Sequence, residues 1–497
     1  YLPSVAVKKC FAYCAIFKED EAIERDRLIQ LWMAQGLLQS YDEKEQRCDE
    51  ALGEEYLHIL LNYSLFQVAK YDDLGNIRSC KMHDVVHSWA LNVSKGDAEI
   101  IECRSLHLQE GWSLKLSNGS IAYFDITRKE EFITRTKCLR VLSLLRVGLE
   151  ELPNWIGELK HLRYLDISEN KIRCLPTGLG ELYHLQTLRI YDNVIPDGGF
   201  RMPVLPKEFT KLANLRHFCS NLRMEIPVDL GMLTSLQTLP AIELDEHSWG
   251  GRASELGNLH NLTRELKLVG FRDAGIIEDL KKVKLGTKER IEKLVLTFHS
   301  NSATPENMNG EDVNNVMMLE ALQPHSNLAA LAISGYRSKT LPKWMMEMIG
   351  HQDTPLQNLV SFSIERCPLL EQLPSMKNLS ALKLLKIWYC DRATSLQNLE
   401  YLTSLQSLEL RSCSEMENLP DIRSLVSLEV LRIYVCRKMS CLPVELSNLP
   451  NLKTLEISRL SPNVNSYPFP DLNHLSPLSA SLRELHIRAY GMDKVEN

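Results

Sequence analysis

LRYLDISENKIRCLPTGLGELYH, from Leu162 to His184, LQSLELRSCSEMENLPDIRSLVS, from Leu405 to Ser427, and LEVLRIYVCRKMSCLPVELSNLPN, from Leu428 to Asn451, are three copies of one pattern. Each opens with Leu-x-x-Leu-x-Leu and carries a Leu-Pro pair further on. Alternation in the Leu-x-Leu core predicts a short strand with its leucines turned inward, and Leu-Pro predicts the turn that leads the chain to the opposite side. One such unit cannot bury its own leucines, so neighbours must stack into a curved solenoid.

Working outward, the same start recurs at Leu139, Leu162 and Leu185 in steps of 23, and at Leu359, Leu382, Leu405, Leu428 and Leu452 in steps of 23, 23, 23 and 24. Weaker starts at Leu215, Leu236, Leu262, Ile291, Leu328 and Leu482 bring the total to fourteen, with an irregular middle. Within that middle, Asn301–Asn315 is almost devoid of apolar residues and is expected to be a mobile loop. In the regular block the residues between the leucines face the concave surface in two columns. One is Ser363, Lys386, Glu409, Arg432 and Glu456; the other is Glu365, Trp388, Arg411, Tyr434 and Ser458. Aromatic and arginine side chains dominate protein-binding hot spots, so Lys386, Trp388, Glu409, Arg411, Arg432 and Tyr434 are the candidate partner-binding residues. Cys367, Cys390, Cys413 and Cys436 also recur once per repeat. Spread over successive coils they are too far apart for one tetrahedral zinc, and they read as buried caps in the place that Asn170 and Asn193 take in other units.

Before about residue 105 no repeat exists. VKKCFAYCAIF (Val7–Phe17), LIQLWMAQGLL (Leu28–Leu38) and a stretch from about Glu45 to Tyr63 read as helices. LFQVAKYDDLGNIRSCKM reads as a hairpin about Asp72–Asn76, and a last helix is expected from near His83. Helices followed by a small hairpin suggest a winged-helix module. Residues 1–105 carry 12 basic against 18 acidic side chains, and the whole chain has a formal charge of -7. That field is wrong for a nucleic-acid partner, which requires a basic stripe. The 13 scattered cysteines are not a secreted disulfide framework and suit a reducing compartment.

The order CFAYCAIF, LIQLWMAQGLL, Met82-His83-Asp84 and then repeats with Leu-Pro punctuation resembles the nucleotide-binding leucine-rich-repeat disease-resistance proteins of plants, in their coiled-coil branch. Lys18 stands where that pattern has Pro, and Gln35 where it often has Glu. The resemblance implies an α+β multidomain chain, the carboxyl-terminal part of such a protein: a winged-helix regulatory domain over 1–105, then a leucine-rich-repeat α/β solenoid, a horseshoe, over 106–497. It further implies that His83 contacts the β-phosphate of ADP, flanked by Met82 and Asp84, with Asp84 helping to hold an inactive packing. ADP, or ATP with Mg²⁺, would bind the full-length protein. The sequence has no Gly-x-x-x-x-Gly-Lys-Ser/Thr loop, so this chain is expected neither to hydrolyse ATP nor to bind ADP tightly. The partners implied are the upstream nucleotide-binding and coiled-coil regions, a pathogen effector or guarded host protein, and further copies of the receptor on activation. The location implied is cytoplasmic, with the plasma membrane as a destination after activation. Two other functions compete: a free repeat scaffold, and an extracellular repeat receptor without nucleotide control. The second would carry Gly-x-Ile-Pro elements and paired cysteine caps, and the repeats here carry Leu-Pro instead.

Overall fold

Leucines spaced to point one way from successive short strands stack only if the strands run parallel, and the computed structural model has that arrangement. It describes residues 2–38, 48–94, 113–116, 138–194, 199–244, 252–271, 276–298, 313–346, 356–439, 446, 449–458 and 481–488. The chain divides into two compact units, Tyr1–Ala241 and Ile242–Asn497.

The first unit starts with the winged helix. Helix α1 (Val5–Tyr13) is capped by the Ser4 hydroxyl, which accepts from the Val7 amide at 2.9 Å, and runs into a 3-10 turn, Cys14–Ile16. Strand β1 (Ile23–Glu24) leads to α2 (Arg25–Gln35), followed by α3 (Asp49–Asn62), the hairpin β2 (Gln67–Tyr71) and β3 (Ile77–Lys81), and α4 (Asp84–Val93). The three strands form one antiparallel sheet in the order β1-β3-β2. Phe11, Trp32, Tyr56, Leu60, Cys80 and Met82 form the heart of its core, all nearly inaccessible. Helix α2 ends at Gln35, earlier than the expected Leu38, because Gly36 adopts φ +72 and closes the helix with a left-handed cap. Gly53 matters for packing instead. A Cβ there would lie 2.5 Å from Ile29 Cγ2, so its absence permits the close approach of α3 to α2.

The repeats of this unit follow as β4 (Ser113–Leu116), β5 (Val141–Leu144), β6 (Tyr164–Asp166), β7 (Thr187–Arg189) and β8 (His217–Cys219), parallel and adjacent in that order. Strand β4 precedes Leu139 and lies outside the fourteen expected starts. A further short strand, β9 (Arg223–Glu225), follows. Pro153, Pro176 and Pro206 each cap a 3-10 turn on the return path, as Leu-Pro predicts. The expected domain boundary near residue 105 lies outside the described residues.

The second unit continues with β10 (Ala241–Glu243), β11 (Arg264–Phe271), β12 (Ile291–Phe298), β13 (Ala330–Ser334), β14 (Ser361–Glu365), β15 (Leu384–Trp388), β16 (Ser407–Arg411), β17 (Val430–Tyr434), β18 (Thr454–Ser458) and β19 (Glu484–Arg488). From β10 onward these are parallel neighbours in chain order. Phe362, Leu385, Leu408 and Leu431 make one buried row and Ile364, Ile387, Leu410 and Ile433 the next, each fully inaccessible. Burial of each such side chain contributes about 1.5–3 kcal/mol, so the rows supply most of what holds the coils together. Cys367, Cys390, Cys413 and Cys436 are buried beside them, and the Cys413 thiol donates to the Ile387 carbonyl at 3.4 Å. Asn170 does the equivalent work in its own coil, donating to Leu144 and Ile167 carbonyls at 2.8 Å each. The unit at Leu262 departs from the pattern: Arg264, at φ +60, begins a register shift, so Leu266 and Leu268 take the inward places. The expected loop at Asn301–Asn315 is corrected at its end, where Val313, Asn314 and Asn315 begin a helix, Val313–Ala321, with Asn315 buried. Its earlier part lies outside the described residues. Among the described residues no helix is long and apolar enough to cross a membrane.

Candidate functional site

Helix α2 has eight consecutive buried residues, Leu28 through Gln35, two of them glutamines. A surface helix buries one stripe, so a helix buried all round is packed on two sides. One side is the winged-helix core. The other meets the strand faces of the first repeats, where Val141 and Tyr164 join the same apolar cluster.

Around that apolar contact lies a ring of polar links. Arg189 on β7 keeps only 8% of its side chain exposed; its guanidinium reaches Glu24 at 2.9 Å, Gln30 at 3.4 Å and Asp166 at 3.8 Å. The Tyr191 ring covers the same guanidinium at 4.8 Å from its centroid. At the far end of α2, Arg140 donates to the Gln35 carbonyl at 2.9 Å, placing a cation where a helix terminus exposes unpaired carbonyls. On α3, one oxygen of Glu50 receives Gln237 at 2.8 Å and Arg216 at 3.2 Å, and lies 3.3 Å from His217 Nε2. Arg216 also meets Asp49 at 3.1 Å. Burial works to raise the Glu50 carboxyl, but the adjacent His217 imidazole, the backbone amide and the Arg216 charge bring it down to about 2. The arrangement is a clasp: acidic and amide groups of the winged helix are held by Arg140, Arg189 and Arg216 of three of the first repeats and by Gln237 of a further one.

None of the clasp residues is among the candidates of the sequence. The signal was present in the strand positions, since Ser143, Asp166 and Arg189 take the same place in their strands as Lys386, Glu409 and Arg432 take in theirs. What the pattern does not carry is which of these strand faces another domain covers.

Met82, His83 and Asp84 sit at the junction of β3 and α4. Met82 is buried in the core, while His83 is the residue before α4 and keeps 61% of its side chain exposed. Its Nδ1 faces the carboxylate of Asp84, the first residue of α4, which also accepts from the Val85 amide at 2.6 Å. His87, one turn on, is of another kind: buried, with Nε2 2.8 Å from the Phe17 carbonyl, it ties α4 to the end of the 3-10 turn that follows α1. Around His83 the outer face of α4 exposes Val85, Trp89 and Val93.

In the second unit, the two expected columns stand in register. Ser363, Lys386, Glu409, Arg432 and Glu456 are successive strand partners, as are Glu365, Trp388, Arg411, Tyr434 and Ser458. The six candidates divide into two groups. Arg432 lies between Glu409, at 3.0 Å, and Glu456, at 2.9 Å, and the Tyr434 hydroxyl donates to the second oxygen of Glu456. The Tyr434 hydroxyl is raised by burial and by that carboxylate. Lys386 and Arg411 instead lie against Trp388, at 5.8 and 6.0 Å from its ring centroid.

Two family models match the chain: the disease resistance protein winged helix domain over residues 16–90, and the R13L1/DRL21 LRRs over residues 253–390. The chain is similar to disease resistance protein RGA2 of Solanum bulbocastanum, 32% identical over 77% of this chain and 37% of that protein. It is also similar to the putative disease resistance RPP13-like protein 1 of Arabidopsis thaliana, 28% identical over 78% of this chain and 38% of that protein. It therefore spans less than two-fifths of the length of either relative. Among solved structures, a leucine-rich-repeat protein of Leptospira interrogans matches with a TM-score of 0.48 at 21% identity, covering 76% of this chain and 90% of the other.

Proposed function

We propose that this chain, which carries the winged-helix and leucine-rich-repeat domains of plant disease-resistance proteins, is the switch-and-sensor portion of an intracellular immune receptor. In the complete protein an upstream nucleotide-binding module would hold ADP, and His83 would contact its β-phosphate. The chemistry of the junction suits that role: an exposed imidazole stands at a helix start, a position that favours anions. Exchange for ATP, with Mg²⁺, would remove the contact and favour the open state, through the difference in binding between the two states.

The observation that carries the reading is the clasp. Because α2 is buried between the winged-helix core and the first repeats, a displacement of the winged helix must either carry those repeats along or break the links at Arg189 and Glu50. Nucleotide state and repeat position are thereby coupled in both directions: a partner that pulls on the repeats shifts the winged helix, and closure of the winged helix restrains the repeats. The partner read by the later repeats would be a pathogen effector or a host protein that an effector alters. Release would then lead to assembly of further receptor copies and to cell death, in the cytoplasm and at the plasma membrane.

The experiment is to place Asp84→Val in the full-length receptor and express it in leaves. Loss of the carboxylate beside His83 is expected to loosen the closed state and cause cell death without an effector. Quiet leaves at normal protein level would reject the switch.

A further inference from the structure

On the strand face of the second unit, several cations among the described residues are held by carboxylates of the same or neighbouring strands. Lys267 and Lys293 both hold Glu265, at 2.6 and 3.0 Å. Arg432 holds Glu409 and Glu456. Lys386 and Arg411 have no carboxylate within ion-pair distance among the described residues, although Glu409 is the strand partner of Lys386; that carboxylate is engaged by Arg432 on the other side. Two like charges thus flank one ring, Trp388, and Arg411 also lies 5.6 Å from the centroid of Tyr389.

The stacking fixes where the guanidinium lies without using its N–H donors, which stay available for an oxygen ligand. Arg411 and Tyr389 are exposed, and Trp388 and Lys386 are half-buried. On the other side of Lys386 the column continues with Ser363 and Ala332, whose small side chains leave room beside the ammonium group. Glu365, the strand partner of Trp388, accepts from the Ser363 hydroxyl at 2.9 Å and confines an anionic ligand to the Arg411 side.

We propose that Lys386, Trp388, Tyr389 and Arg411 form a docking corner for an acidic segment of a protein partner. A carboxylate is taken by the two unpaired cations, and the aliphatic stem or a neighbouring apolar side chain packs on the two rings. A protein segment suits the site better than a nucleic acid. Glu365, Glu409 and Glu456 interrupt the same two columns and oppose a continuous phosphate chain, whereas one or two carboxylates fit between them. The inference rests on the strand face being the partner surface, and adds the chemistry of the partner.

The test is fluorescence anisotropy on the whole chain at low salt, with fluorescein-labelled hexaglutamate as probe and hexaglutamine and a six-nucleotide single-stranded DNA as comparators. Hexaglutamate is expected to bind saturably and to weaken about tenfold in Arg411→Glu and in Lys386→Glu, the scale of one lost charge-assisted contact. Trp388→Ala is expected to weaken it severalfold, and Lys293→Ala, whose cation is already held by Glu265, to leave it within about twofold. Unchanged thermal unfolding shows that each variant is folded. Absence of saturable hexaglutamate binding, indifference to Arg411→Glu, or tighter binding of the oligonucleotide overturns the proposal. Hexaglutamine binding that responds to Trp388→Ala but not to Arg411→Glu rejects the acidic partner while keeping the partner surface. Failure of every probe rejects both.

Discussion

Arg189 and Arg432 occupy the same place in their repeats, the residue between the two inward-facing side chains of the strand, yet they look in different directions. Arg189, 8% exposed, reaches out of its sheet to Glu24 and Gln30 of the winged helix. Arg432, 32% exposed, reaches along its sheet to the carboxylates of the strands on either side. The strand face at Arg189 is occupied by another domain, whereas Arg432 and its neighbours pair among themselves, beside the unpaired Lys386 of the same column and Arg411 of the next. The difference teaches that a repeat position has no fixed role: the backbone presents the side chain, and whatever covers the face decides whether it is a tether, a strut or a hook.

The sharpest way to break this comparison is to delete the two arginines in turn. Arg189→Ala leaves the buried Asp166 without its cation and Glu24 without its partner, and is expected to cost about 3–4 kcal/mol of stability in the first unit. Arg432→Ala removes a half-buried pair network that covers no other domain and is expected to cost less, roughly 1 kcal/mol. Denaturant unfolding of both variants measures the difference; equal losses would erase it.

A second prediction sharpens the clasp itself. The Glu50 carboxyl lies at about 2 in the folded chain against an ordinary 4.5. A depressed folded value means that its contribution is fully present above about pH 4.5 and fades as the pH falls toward 2, because the proton then binds the unfolded chain first. The contribution is on the order of 2–3 kcal/mol. Glu50→Gln is therefore expected to be less stable than the natural chain near neutral pH and to converge with it in acid. A stability gap that persists unchanged at low pH would show that Glu50 acts through packing alone.

The smallest effect concerns the ladder of the later repeats. A double-mutant cycle between Arg432 and Glu456 is expected to give a coupling of only about 0.5–1 kcal/mol, lowered by salt, since both groups meet water. A coupling above about 2 kcal/mol would make this ladder a tether like the first.

Much of this architecture can be read from residue spacing, because a leucine in a buried row has one physical requirement and meets it at a fixed interval. The columns from Ser363 to Ser458 follow from that interval alone, as do the helix start at His83 and the hairpin at Asp72–Asn76 from their own local patterns. Strand β4 was not legible because it lies outside the 23-residue spacing of the units that follow. The bulge at Arg264 displaces the leucines by one place, which weakens the same signal at Leu262. The clasp was hidden for a different reason. Gln30, Glu50 and His217 are ordinary surface residue types, and only the fold brings α2 and α3 onto the strands that bury them. Cys10 and Cys14, four apart on the first helix and the turn that follows it, are both buried in the core, and burial raises both thiols.

Hydroxyl-radical footprinting of the whole chain tests most directly whether the winged helix covers the first repeats. Tyr164 and His217 belong to the covered face, whereas Trp388 and Tyr389 belong to the open one. Oxidation of Tyr164 and His217 is expected to be slow beside that of Trp388 and Tyr389, and to rise selectively in Arg189→Glu. Rapid oxidation of Tyr164 and His217 in the unaltered chain would mean that the face is open and that no clasp exists.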